Sequence, residues 1–285
     1  KVSYIQSVDI FDLRGMPEKL LIFAKPNYWG SLLWSILGLF LLSFAYISLG
    51  YFTARAIKFT FLFTISDKSL LSQFTSLASC YLLGQAIFIS ISLVFSGLLS
   101  LPPLLTLAMI GAGNLLGIAQ FKKMRNDFLF HNSAKKHKPD FFSILTSLIF
   151  LLTILNTTAR ISYDSSAIYF SNAKLTSHLE KMEFFTDGNF VASVFQNVIQ
   201  YTSLIQLTGE QSARMLPWMS GLIICIFSLA LGEKVGLTKR ALSFLMLLLI
   251  SSTAFLDLLG DAKVDLLSTA PAIGAIYWMK KIKKT

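Results

Sequence analysis

Long apolar runs separated by short polar breaks dominate this chain. They cover 31–52, 74–98, 101–119, 141–157, 215–232, 241–258 and 263–279. Each is close to the ~20 residues that a helix needs to cross a bilayer. None shows the period-two alternation of a half-buried strand. Because lipid leaves the backbone to satisfy its own hydrogen bonds, the pattern predicts helices throughout. The expected fold class is therefore all-α, a polytopic membrane protein with about seven transmembrane helices. Pro102 and Pro103 mark a tight turn between the second and third runs, and the last two runs meet at Gly260.

Two stretches depart from the rhythm. Val191 to Leu207 carries Gln196, Asn197, Gln200 and Gln206, too polar for a comfortable span, and is expected to lie as a helix in the membrane interface. Arg160 to Phe190 is polar, and from Asp164 to Met182 it is amphipathic at helical spacing. Lys174, His178 and Lys181 stand at i, i+4 and i+7, with Ile168, Leu175, Leu179 and Met182 about a quarter-turn away. Such a helix lies in the headgroup plane.

Composition agrees with the pattern. The chain is 54% hydrophobic and 14% charged, where soluble domains carry about 25% charged residues. The net charge of +10 falls in clusters between the runs rather than in a basic–aromatic stripe, which argues against nucleic acid as a partner. One cluster is Lys122, Lys123, Arg125, Lys135, Lys136 and Lys138. A second is Lys234, Lys239 and Arg240, and a third is Lys280, Lys281, Lys283 and Lys284. The positive-inside rule assigns all three to the cytoplasmic side. The fourth run then delivers Arg160–Phe190 to the external face, and the sixth delivers Asp257, Asp261 and Asp265 to the same face. Cys80 and Cys225 sit inside apolar runs as small packing residues.

Candidate chemistry concentrates on that external face. Asp164 follows directly on a span, where a surface enzyme would keep a base, although it also suits the N-cap of the helix that follows. Asp257, Asp261 and Asp265 lie near the ends of apolar runs, where a carboxylate is costly; Lys263 is the structural alternative that neutralises one of them. Arg160, Lys174, His178 and Arg214 could hold phosphate, while span-end arginines also serve as snorkelling anchors. HExxH, GxGxxG, Walker-type and GxSxG motifs are absent, which removes most soluble enzyme classes and ATP-driven pumps.

The stretch Tyr163-Asp164-Ser165-Ser166-Ala167-Ile168-Tyr169-Phe170 resembles the segment that opens the first external loop of GT-C superfamily membrane glycosyltransferases. Within that superfamily the likeness is to the bacterial family-39-like proteins related to protein mannosyltransferases and lipid A aminoarabinose transferases. Lys263-Val264-Asp265-Leu266 and Glu210-Gln211-Ser212-Ala213-Arg214 are similar to further stretches of that family. The chain lacks the family's Trp before the acid and His-Leu-Pro after the tyrosine. The resemblance covers about residues 140 to 280. It implies residues 131–285 as a transferase core truncated at its C-terminus, with 1–130 adding extra spans.

It further implies an inverting glycosyltransferase of the bacterial inner membrane. Such an enzyme passes a sugar from a polyprenyl-phosphate donor to a glycan, lipid or protein acceptor. Asp164 takes the part of general base, and Arg160, Lys174, His178 and Arg214 are candidates for the lipid phosphate. Asp261 and Asp265 would assist the acceptor or hold a divalent cation, Mg²⁺ or Mn²⁺. A multi-span transporter or flippase and a non-catalytic assembly subunit are the competing classes.

Overall fold

The structure, a computed structural model, describes residues 26–58, 70–98, 103–128, 141–158, 170–179, 195–261 and 264–282. Every regular element among them is helical. The long helices α1 (Pro26–Ala56), α2 (Leu70–Leu98) and α3 (Pro103–Phe128) form one group. The helix α4 (Phe141–Leu152) tightens into a 3-10 stretch at Thr153–Thr158 and is followed by α5 (Ser171–Leu179). Then come α6 (Phe195–Thr208), the five-residue α7 (Glu210–Arg214) and α8 (Leu216–Lys234). The chain finishes with α9 (Lys239–Ser251), α10 (Thr253–Gly260) and α11 (Asp265–Ile282).

Small residues let the first helices touch. A Cβ on Gly50 would strike the Cys80 carbonyl, and one on Gly84 would strike the Tyr46 carbonyl, so α1 and α2 cross backbone to backbone. On the neighbouring side, Gly113 and Gly117 of α3 seat Ala45, Phe44 and Ser48 of α1. Lipid offers helices no hydrophobic drive to associate, so close packing of this kind holds them together. The outer faces remain apolar and exposed: Leu33, Trp34, Leu37 and Phe40 on α1, Leu115 and Ile118 on α3, Phe244 and Leu248 on α9.

Among the described residues, three helical stretches are long and apolar enough to cross a membrane: Gly30–Ala56, Leu71–Phe95 and Glu210–Lys234. A fourth is the pair α9 and α10, bent by 66°. Against the seven spans expected, the described residues thus hold three or four candidates. The run at 141–157 yields only a short apolar helix, Ile144–Leu155. The run at 241–258 breaks at Ser252, whose backbone is extended, beside Ser251, whose hydroxyl donates to the Leu248 carbonyl. Hydroxyl side chains that bond the local backbone compete with helix continuation, and three of them, Ser251, Ser252 and Thr253, fall together here. These helices support the reading of a membrane protein.

The Val191–Leu207 stretch also differs from expectation. Its helix α6 is not an interfacial helix but a buried one, with Val198, Ile199, Gln200, Tyr201, Thr202, Ser203 and Leu204 all inside. Its polar groups find protein partners instead of headgroups. Gln85 Nε2 donates to Gln200 Oε1 at 2.6 Å, and the Tyr46 hydroxyl donates to the same oxygen at 3.4 Å. Thr106 donates to Gln206 Oε1 at 2.9 Å. Polarity that looked unfit for a span is matched polarity inside a bundle.

The contacts also set the direction of each helix. Ser31 donates to Gln211, Gly38 meets Thr208 and Tyr46 meets Gln200, so α1 runs antiparallel to α6 and starts beside α7. At the other end of α1, Arg55 pairs with Asp127 of α3 at 3.4 Å, and Tyr51 donates to Asp127 at 2.6 Å. Lys234, ending α8, lies 3.7 Å over the ring of Tyr277 near the end of α11. Trp278 donates to Ser79 of α2, whose neighbour Cys80 meets Gly50 of α1. The C-terminal ends of α1, α3, α8 and α11 therefore share one end of the assembly.

Candidate functional site

That end is the basic one. It collects Lys122, Lys123 and Arg125 of α3 with Lys234, Lys239 and Arg240 around the α8–α9 turn. The opposite end holds α7, the start of α8, the end of α10 and, through its contacts, α5. There a connected set of charged groups is found. Lys174 of α5 pairs with Glu210 of α7 at 2.8 Å. One turn on, Arg214 is buried, and its Nη2 donates to the Gly260 carbonyl at 3.5 Å. Asp261, also buried, and Glu210 both attract the Arg214 guanidinium.

Local sequence explains each placement. Gly209 separates α6 from α7 with φ of 101° and ψ of 179°, a conformation that is almost confined to glycine. The break turns Glu210 and Arg214 onto the end of the bundle, an i, i+4 pair on one face of α7. Gly260 is the last residue of α10, so its carbonyl belongs to a helix C-terminus, where a cation is favoured. On the remaining side, Trp218 of α8 donates to Thr153 Oγ1 at 3.1 Å, and Phe150 packs on its ring at 5.1 Å between centroids. The 3-10 stretch ending at Thr158 packs against both α7 and α10.

The predicted residues distribute unevenly. Lys174, Arg214 and Asp261 come together with Glu210, for which the sequence pattern predicts no role. Its signal was its position four before Arg214 at a helix start. Asp265 begins α11 and is exposed, and Asp257 is exposed on α10. Asp164 and Arg160 lie outside the described residues, as does the side chain of His178, although its backbone belongs to α5.

The cations met in the described part are not isolated. Two positive and two negative groups alternate, Lys174, Glu210, Arg214 and Asp261, so a phosphate would have to exchange with a carboxylate to reach them. Among the described residues, no three His, Cys, Asp or Glu side chains gather as a metal site. Asp261 instead faces an arginine, and Asp265 is exposed, so these two do not fit the divalent-cation expectation.

Comparison with family models, with characterised proteins and with solved structures returned no match. The GT-C resemblance thus stands on the motifs in the chain.

Proposed function

We propose that this chain is a membrane-embedded glycosyltransferase that works at the end of the assembly opposite its basic clusters, taking a sugar from a polyprenyl-phosphate donor. One observation carries the reading. The 3-10 stretch ending at Thr158 packs against α7, which bears Arg214, and against α10, whose C-cap is Asp261. Arg160 and Asp164 follow Thr158 within six residues of sequence.

In this mechanism Asp164 accepts the proton of an acceptor hydroxyl. The oxygen attacks the anomeric carbon, the bond from that carbon to the phosphate oxygen breaks, and the lipid phosphate departs with the electron pair. Attack from the opposite face inverts the sugar. Charge growing on the phosphate is met by Arg214 and Lys174, with Arg160 and His178 as further candidates. Glu210 and Asp261 hold the two cations in place before substrate arrives. A position in the bacterial inner membrane, with a glycan, lipid or protein acceptor, belongs to the same proposal.

Asp164→Asn tests it. Membranes containing the variant, supplied with radiolabelled polyprenyl-phosphate sugars, should lose label transfer while expression and insertion stay normal. Normal transfer would end the reading.

A second reading, a transporter or flippase, rests on a different observation. Buried polar α6 and the 66° break between α9 and α10 resemble the discontinuous helices that line transport sites. Proteoliposomes separate the two. Movement of solute or labelled lipid without any acceptor, abolished by Gln200→Leu, would favour transport.

A further inference from the structure

The fold brings together cations that the chain keeps far apart. Arg55 and Lys58 at the end of α1, Lys122, Lys123 and Arg125 on α3, and Lys234, Lys239 and Arg240 around the α8–α9 turn meet at one end of the bundle. Arg55, Lys58, Lys122, Lys123, Lys239 and Arg240 are exposed there. Among the described residues, acidic compensation is thin. Asp127 is engaged by Tyr51 and Arg55, and Glu233 is the other acid in these helix ends.

Two further facts narrow the partner. The turn between the last two cation groups exposes Val235 and Leu237, and Ile57 is exposed beside Lys58, so aliphatic side chains alternate with the charges. Lys239 and Arg240 open α9, where no acid occupies the first turn and the helix dipole is itself positive. Cations at that position repel the helix end unless an anion lies close by. A surface of positive charge and aliphatic tips, continuous with lipid-facing helices, fits the boundary between anionic headgroups and acyl chains. A nucleic acid or an acidic protein would not call for the aliphatic tips.

We propose that this end of the bundle is a binding surface for anionic phospholipid headgroups, with Lys122, Lys123, Lys239 and Arg240 as its exposed contacts. It is separate from the ion cluster at the opposite end and does not depend on the transferase reading.

The test uses the full chain, purified in mild detergent and incubated with equal amounts of phosphatidylglycerol and phosphatidylcholine. Retained lipid is then quantified by mass spectrometry. The unchanged chain should hold phosphatidylglycerol in severalfold excess. Lys239→Gln with Arg240→Gln should lower that ratio measurably, and adding Lys122→Gln with Lys123→Gln should bring it close to one. All four side chains are exposed, and gel filtration checks that each variant is monodisperse. If the four-fold variant aggregates, the pair of changes at 239 and 240 alone decides. Asp257→Asn, an exposed change on α10, alters net charge away from this surface and should leave the ratio as it was. Equal retention of the two lipids by the unchanged chain overturns the proposal. So does an undiminished ratio in the basic-end variants, or a preference that shifts as much with Asp257→Asn.

Discussion

Gln200 shows how a single side chain can be misjudged in isolation. Its amide oxygen accepts from both Gln85 and Tyr46, so it joins three helices from a position that apolarity alone would place at a surface. Gln200→Leu leaves two donors facing a carbon chain. Interhelical hydrogen bonds in membranes are worth about 0.6–2 kcal/mol, so a loss of about 1–2 kcal/mol is expected in thermal unfolding of the detergent-solubilised protein. Gln85→Leu added to it should cost less than the sum of the two single changes, because the stranded donor is removed as well. Arg214 is the sharper case. Arg214→Ala leaves buried Asp261 and the Gly260 carbonyl without the guanidinium, an expected loss of about 3 kcal/mol. Asp261→Asn in that background should recover part of it. If Arg214→Ala unfolds like the unchanged chain, the pair contributes nothing to the fold.

At the scale of elements, glycine decides two features that hydropathy does not mark. Gly209 has nothing within 4 Å of a built Cβ, so Gly209→Ala meets no clash and tests the backbone alone. Its φ of 101° predicts a cost of about 1–3 kcal/mol and a weakened Lys174–Glu210 pairing as α7 swings away. Gly84→Val tests contact instead, since the side chain would enter the Tyr46 carbonyl across the α1–α2 crossing. Loss of a monodisperse peak in gel filtration is the expected result. Normal behaviour would mean that the helices cross at a greater distance.

For the whole molecule, the prediction is about sidedness. A cysteine at Asn172 and one at Asp265 should both react with an impermeant thiol reagent from one face of the membrane, and one at Lys239 only from the other. The two native cysteines, Cys80 and Cys225, are buried and should stay silent. Asp265 is exposed, whereas Asp261 is too buried to be labelled. Labelling of Asn172 and Lys239 from the same side would break the division of the assembly into a basic end and an opposite end.

Helical class, membrane character and the clustering of cations between apolar runs were all legible in the chain, because they follow from composition and local period. The number of spans was not, since a hydropathy window reads 141–157 as a full span where the helix is short, and does not show the 66° bend within 241–258. Nor was the burial of α6: a glutamine's environment depends on which helix faces it, and Gln85 lies 115 residues from Gln200. The charged cluster was half legible. Asp261 stands out in the sequence as a costly carboxylate near the end of an apolar run, Arg214 as a span-end arginine able to hold phosphate, and Lys174 through its helical spacing. Only the packed helices set Glu210 between Lys174 and Arg214, making these candidate phosphate ligands members of an alternating ion network. Local pattern determines which segments leave water, and the three-dimensional arrangement decides which polar groups satisfy one another once they have left it.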